Sequence, residues 1–304
     1  METLKPGIYP GVSQKEYREW DAVNISSLKN FEVSPSNYEW HRNHPRKETE
    51  QQAFGHLVHT LMLEPHLLDE EYISKPATYP AKATAADVKK GLADEKGVEI
   101  DKPWNGNADY CRSWLKSHAG KRFITPDDLE YARILDRKAR ANPDIAKFLD
   151  TPCLNHEVSI VWIDEMTGIL CKGRCDVLAG NQAGDVKTTS KRADYDKWGG
   201  QAVSFKYCEQ AAFYMDGLKA LLGEKYHQSP RFRWIVCESF PPYRVTWYDL
   251  VDVEGSTSRP ALDYGRMKYR SWLQELRHAI ETDEFVDWPV EMCGEFCLPE
   301  WVTM

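Results

Sequence analysis

The stretch from His156 to Ser190, HEVSIVWIDEMTGILCKGRCDVLAGNQAGDVKTTS, limits what this chain can fold into more than any other. Its runs HEVSIVWI, ILCKGRCDVLA and DVKTT are separated by the turn DEMTG and the loop GNQAG, which predicts three successive strands with the first two joined as a hairpin. Strands linked this closely share a sheet, and a sheet needs helices to cover its apolar faces. The flanking sequence supplies them. Upstream, TPDDLEYARILDRKARANP opens with Thr125 as an N-cap, Pro126 at the first helical position and acidic residues in the first turn, predicting a helix to about Asn142. Downstream, SFKYCEQAAFYMDGLKALLG carries an apolar stripe at Cys208, Ala211, Ala212, Met215, Leu218 and Leu222 and is closed by Gly223. Two further strands, RFRWIVCES and YRVTWYDLV, and an amphipathic helix over about 260–281 follow. The order α-β-β-β-α-β, with additions at both ends, predicts an α/β fold with a mixed central sheet flanked by helices.

Outside that run the pattern is thinner. ETEQQAFGHLVHTLMLE, 48–64, reads as a helix with Phe54, Leu57, Val58 and Leu61 at helical spacing and Pro65 at its end. NISSLKNFEVSP predicts a short helix capped by Ser26 or Ser27 and stopped before Pro35. The stretch 72–121 is mixed, with loop-like KPATYPAKAT and a short helix near 109–118, and has no predicted place in the core. The whole is expected to be one domain over 1–304: an extension at 1–47, a core at 48–253 with an insertion at about 72–121, and a helix and tail at 254–304.

A chain of 304 residues that is 42% hydrophobic can bury a large core. No stretch approaches the roughly 18 apolar residues of a membrane span, and the first residues lack a basic-then-apolar leader, so a cytoplasmic protein without a membrane partner is expected. The eight cysteines, most of them singly placed in apolar strands or helices, fit a reduced core rather than a disulfide framework. A formal charge of -8 argues against nucleic-acid binding through net charge, but leaves room for a local basic groove.

Chemistry concentrates where the second and third strands meet. Strand alternation puts Lys172, Arg174 and Asp176 on one face and Cys171, Gly173, Cys175 and Val177 on the other. It also puts Asp185 and Lys187 on a common face, with Val186 pointing into the core. If the intervening loop lets the strands pair, Asp176 and Asp185 converge, and two such carboxylates repel unless a cation lies between them. Oxygen ligands suit a hard ion, Mg²⁺ or Mn²⁺, which could polarise a phosphodiester while Lys187 orients water or offsets charge on the phosphate. The alternative is a surface salt bridge worth about 0–1 kcal/mol. Tyr207, Gln210 and Tyr214 share one helix face opposite the apolar stripe.

The ordered set GHLVH in a helix, HE opening a strand, GRCD, DVKT and QAAFY resembles the PD-(D/E)XK nuclease superfamily. Within it the chain looks most like the RecE-type exonucleases (exodeoxyribonuclease VIII); its ending, FVDWP and then LPEW, is similar as well. The resemblance implies a metal site of His59, Asp176, Asp185 and the Val186 carbonyl, holding Mg²⁺ with Mn²⁺ as a substitute. It makes Lys187 the catalytic lysine acting with Asp185 and Asp176, and it places Gln210, Tyr214 and Thr188 on a DNA-contacting rim. Glu157 would support the site from outside the ligand set, and His56 would stay outside it. Gly55, one turn from His59, would permit close approach of backbone or DNA. Ser26 and Ser27 could bind a 5′-phosphate, although an ordinary N-cap is the simpler reading.

The activity implied is Mg²⁺-dependent 5′-to-3′ digestion of linear double-stranded DNA, leaving 3′ single strands for recombination. A homo-oligomeric ring, a RecT-like single-strand annealing protein and a phage or prophage origin in a bacterial host are implied with it. Two other readings stand beside this one. A Cas4-like or helicase-associated nuclease needs four thiolates for an iron-sulfur cluster, but no cysteine precedes His59 and the C-terminal region offers only Cys293 and Cys297. A catalytically silent DNA-binding protein of the same fold would have lost a ligand or the lysine, and all four are present.

Overall fold

The computed structural model describes residues 4–44, 47–151, 156–180, 182–227 and 230–287. Six strands form the central sheet: β1 (Gly7–Tyr9), β2 (His156–Ile163), β3 (Leu170–Ala179), β4 (Gln182–Thr189), β5 (Arg231–Glu238) and β6 (Val245–Val251). They lie side by side in that order. Every neighbouring pair is antiparallel except β4 and β5, which run parallel from Gln182↔Arg231 to Thr189↔Glu238. A parallel step needs a crossover, here supplied by helices α3 (Tyr195–Ser204) and α4 (Tyr207–Leu222).

The sheet is buried on both sides, which is why its strands carry so few polar residues. On one side α4 and α5 (Arg259–Thr282) close a core that includes Val158, Ile160, Trp162, Phe213, Leu218, Phe232 and Leu273. On the other, α1 (Glu50–Leu63) and α2 (Pro126–Ala141) cover Val186, Ile235 and Cys237 with Leu57, Val58, Ala132 and Leu135. Both α1 and α2 begin with a complete capping box, Thr49 with Gln52 and Thr125 with Asp128, which satisfies two otherwise orphaned amides at each start.

Several expectations are corrected. Asn24 caps the short helix Ile25–Leu28: its Oδ1 accepts from the Ser27 amide at 2.8 Å, because Asn24 is the last extended residue and Ser26 and Ser27 already lie in the first turn. Pro35 does more than end that segment; it opens the helix Pro35–Asn43 behind the Ser34 cap. The helix foreseen from Ser204 begins at Tyr207, since Lys206 adopts a left-handed conformation (φ +65°) and separates it from α3. In the 72–121 stretch the expected short helix is Asp109–Ser117, but part of the loop-like run forms the strand Thr78–Lys82, paired with Glu99–Pro103. Its base, Tyr72–Ser74 paired with Arg122–Ile124, sends Tyr72 into the α1 side of the core.

Alternation also fails once. Cys171 and Cys175 share one face as foreseen, packing in the cluster that includes α4, but Val177 packs with the opposite cluster. The change of face coincides with Glu157, whose φ of +54° interrupts the β2–β3 ladder between Val158↔Cys175 and His156↔Val177. Among the described residues no helix is long and apolar enough to cross a membrane. LPEW, the last residues of FVDWP, Cys293 and Cys297 lie outside the described residues.

Candidate active site

The site forms where the sheet splits. β3 and β4 pair only at Val177↔Gly184, Leu178↔Ala183 and Ala179↔Gln182, so their ladder ends just before Asp176 and Asp185. Beyond that point β3 follows β2 and β4 follows β5. The amide of Val186, left without a strand partner on that side, donates to Asp176 Oδ2 at 2.6 Å. Both aspartates are buried, at 6% and 3% exposure.

Helix α1 brings His59 into the gap. Its Nε2 donates to the Val186 carbonyl at 2.5 Å, and its Nδ1 lies 3.3 Å from Asp176 Oδ2 and 3.7 Å from Glu157 Oε1. Gly55 lets the helix sit this close: a Cβ there would be 3.1 Å from Thr188 Oγ1. The close approach foreseen at Gly55 is thus to β4, and Thr188 faces α1. The unusual backbone of Glu157, at the start of β2, turns its carboxylate toward the same histidine. From the other side of β4, Lys187 pairs with Asp185 and lies over the ring of Tyr207.

The charges in this gap hold one another in unusual states. Burial and then the charge of Asp185 push the Asp176 carboxyl well above the carboxylate range. Burial would raise Asp185 too, but Lys187, the hydrogen bond with Asp176 and His59 together hold it below its ordinary value. Burial opposes charge on His59, yet Asp176 and Glu157 outweigh it and raise the imidazole to about 9. Lys187 is raised as well, burial being outweighed chiefly by Asp185.

A divalent cation fits this arrangement. His59, Glu157 and Asp176 each present a ligand atom, all within 4.8 Å of one another, and Asp185 and the Val186 carbonyl border them. The raised Asp176 carboxyl and His59 imidazole mark a pocket whose clustered carboxylates favour positive charge, as a cation site does. Oxygen donors with one imidazole suit Mg²⁺ or Mn²⁺. Glu157 lies nearer this set than the sequence reading put it. Replacing it by glutamine is expected to weaken Mn²⁺ binding by about tenfold or more, as removal of a supporting carboxylate does elsewhere, with isothermal titration as the check.

The remaining residues divide. His56 pairs with Glu48 and Arg122 and stays out of the site, as anticipated. Gln210 is half-buried and donates to the Tyr214 hydroxyl at 3.4 Å. Tyr214 is not on an open rim: it is 5% exposed, and a Cβ on Gly173 would be 2.6 Å from its ring. The missing side chain at Gly173 draws α4 against β3, which buries a helix position that spacing alone would leave polar. Lys172 is buried rather than lining an open charged face, and it donates to the carbonyls of Tyr17 and Trp20 at 2.8 and 2.7 Å. Arg174 donates to Ser159, Gln14 and the Val12 carbonyl. An N-terminal segment therefore covers the strand face that the sequence left open, and no local pattern announced it. Tyr207 was placed only on a polar helix face, and Trp198, which stacks on it from α3, was passed over.

Residues 24–295 match the family described as "PDDEXK-like domain of unknown function" (DUF3799). The chain belongs to this PDDEXK-like family. A Eubacterium rectale crystal structure described as "Putative exonuclease" aligns with the PDDEXK-like chain at a TM-score of 0.52 and 13% identity, covering 96% of each chain. At that identity the likeness is one of fold. Scheffersomyces stipitis Rai1 aligns at a TM-score of 0.20 and 13% identity over 88% of this chain and 75% of that one, and carries no argument. No curated protein matches the sequence. Family and fold agree with the mixed, helix-flanked sheet: this is a PD-(D/E)XK nuclease fold.

Proposed function

We propose that the PDDEXK-like chain is a single-domain, Mg²⁺-dependent exonuclease that digests linear double-stranded DNA from its 5′ ends and leaves 3′ single strands. The observation that carries the reaction class is the convergence of Asp176, Asp185 and Lys187 with His59 at the split between β3 and β4. The polarity, the duplex substrate, a homo-oligomeric ring, a RecT-like annealing partner and a phage or prophage origin in bacterial cytoplasm rest on the RecE-type resemblance.

In this reading His59, Asp176, Asp185 and the Val186 carbonyl hold Mg²⁺, with Glu157 beside them; Mn²⁺ substitutes. The bound ion supplies Lewis-acid polarisation of the scissile phosphate and favours ionisation of the attacking water. Lys187 places a fixed positive charge where negative charge grows on the phosphate. Asp176, hydrogen-bonded to the Val186 amide, holds that backbone so that the carbonyl faces His59. Of the rim residues that the resemblance implies, Gln210 is the one proposed to meet DNA, since Tyr214 is buried and Thr188 lies against α1.

Protonation sets the pH dependence. A cation must displace the proton on His59, raised to about 9, and the one retained by Asp176. Deprotonation favours the bound state, so Mg²⁺ affinity is expected to rise with pH between about 7 and 9, up to tenfold per unit for each proton displaced. Titration calorimetry at pH 7 in buffers of different ionisation enthalpy should register proton release; an affinity flat across that range would contradict the site.

Duplexes labelled at the 5′ or 3′ end, linear and circular, with Mg²⁺ or EDTA, test the activity. Release of 5′-terminal nucleotides from linear DNA alone is expected. Cutting of circles would indicate an endonuclease, and absence of all cleavage would favour the silent DNA-binding reading. The Cas4-like alternative predicts a brown protein absorbing near 400 nm, as an iron-sulfur cluster would. The described cysteines are free and buried.

A further inference from the structure

Lys187 is held from two directions. Its ammonium pairs with Asp185 on one side, and the centroid of the Tyr207 ring lies 4.8 Å away. Tyr207 is the first residue of α4, placed there by the left-handed turn at Lys206. Its ring stacks on Trp198 of α3, with centroids 5.5 Å apart and planes at 28°. Trp198, 2% exposed, meets Trp234 of β5 edge-on at 5.8 Å. Trp234 is the register partner of Asp185 in the parallel β4–β5 ladder. The contacts therefore close a circuit: Asp185, Trp234, Trp198, Tyr207, Lys187 and Asp185 again.

A lysine has a flexible four-carbon stem and three donor hydrogens, so a single carboxylate does not define where its ammonium sits. Paired with Asp185 alone, it could swing about that carboxylate into several positions. A second carboxylate or carbonyl would hold it but would occupy another N–H. An aromatic face attracts a cation through its quadrupole without accepting a strong hydrogen bond. A ring can therefore help to hold an ammonium without taking up another of its N–H groups.

We propose that Tyr207, braced by Trp198, is the positioning residue of Lys187, holding its ammonium beside Asp185 with a donor free for the scissile phosphate or its attacking water. This rests on the nuclease reading above for the identity of the acceptor, but the placement of Lys187 does not depend on it. The ring face is what acts, so the phenol oxygen is dispensable.

Two readouts test this. In ¹³C-lysine-labelled full-length protein, the ε-methylene resonance missing from Lys187→Ala should lie upfield of the other lysines in wild type and in Tyr207→Phe, through the ring current, and should return to the bulk in Tyr207→Leu. In digestion of linear duplex DNA with Mg²⁺, Tyr207→Leu should lower kcat on the order of tenfold with KM nearly unchanged, and Tyr207→Phe should stay within about twofold of wild type. An unshifted Lys187 resonance in wild type would overturn the proposal. So would wild-type kcat in Tyr207→Leu, or a Tyr207→Phe variant as slow as Tyr207→Leu. Should Tyr207→Leu not fold, the wild-type and Tyr207→Phe resonances decide. Full activity of Lys187→Ala alongside a shifted wild-type resonance would refute the nuclease mechanism and leave the positioning intact.

Discussion

Replacing Asp185 or Lys187 by alanine is expected to lower nucleotide release from linear duplex DNA with Mg²⁺ by about a thousandfold or more, in proteins that keep the wild-type circular dichroism spectrum. The two losses have different causes. Without Asp185 the cation loses a ligand, and raising Mg²⁺ or offering Mn²⁺ should recover part of the rate. Without Lys187 the cation still binds, but charge growing on the phosphate has no fixed counter-charge, so added metal should recover nothing. Neither change opens the core, because both side chains lie at the split in the sheet and the strand that carries them is held along its length by β5. Activity equal to wild type in both variants would defeat the assignment.

A large effect on stability is expected at Gly184. A Cβ there would sit 2.5 Å from the Phe148 ring and 2.9 Å from the carbonyl oxygen of Arg233. The ring could give way at a cost; the carbonyl cannot move without displacing β5, which pairs with β4 in parallel. Gly184→Val, adding bulk on both sides, is expected to destabilise the fold by about 3 kcal/mol and to lower the thermal midpoint on the order of 5 °C. The same residue sits at the last ladder pair before Asp185, so surviving protein should also show weakened metal binding. A melting temperature unchanged from wild type would show that this approach is less tight than it looks.

Much of the fold was readable because its signals are local. Capping residues at Thr125 and Pro126, the apolar stripe of α4 and the strand run from His156 to Thr189 each report on a neighbour within a few residues. The D-x-K spacing likewise put Asp185 and Lys187 on one face of one strand, and they do form an ion pair. What failed depended on packing between segments far apart in the chain. Lys172 looked like part of an exposed charged face until residues 12–20 covered it. Tyr214 looked like a rim residue until Gly173 let α4 settle onto the sheet. Glu157 looked peripheral because a positive φ in a strand leaves no trace in residue type.

The sequence by itself determined the order of helices and strands, the buried character of the sheet and the chemical types available to a metal site, since periodicity and spacing act over one or two turns. Only the tertiary structure decided that the sheet splits at Asp176 and Asp185, and that His59, 127 residues from Val186, enters that split to meet its carbonyl. The physical reason is that the site is made of orphaned groups. An amide without a ladder partner, two carboxylates brought together by different strands and a lysine resting on an aromatic ring acquire their meaning from what packs against them.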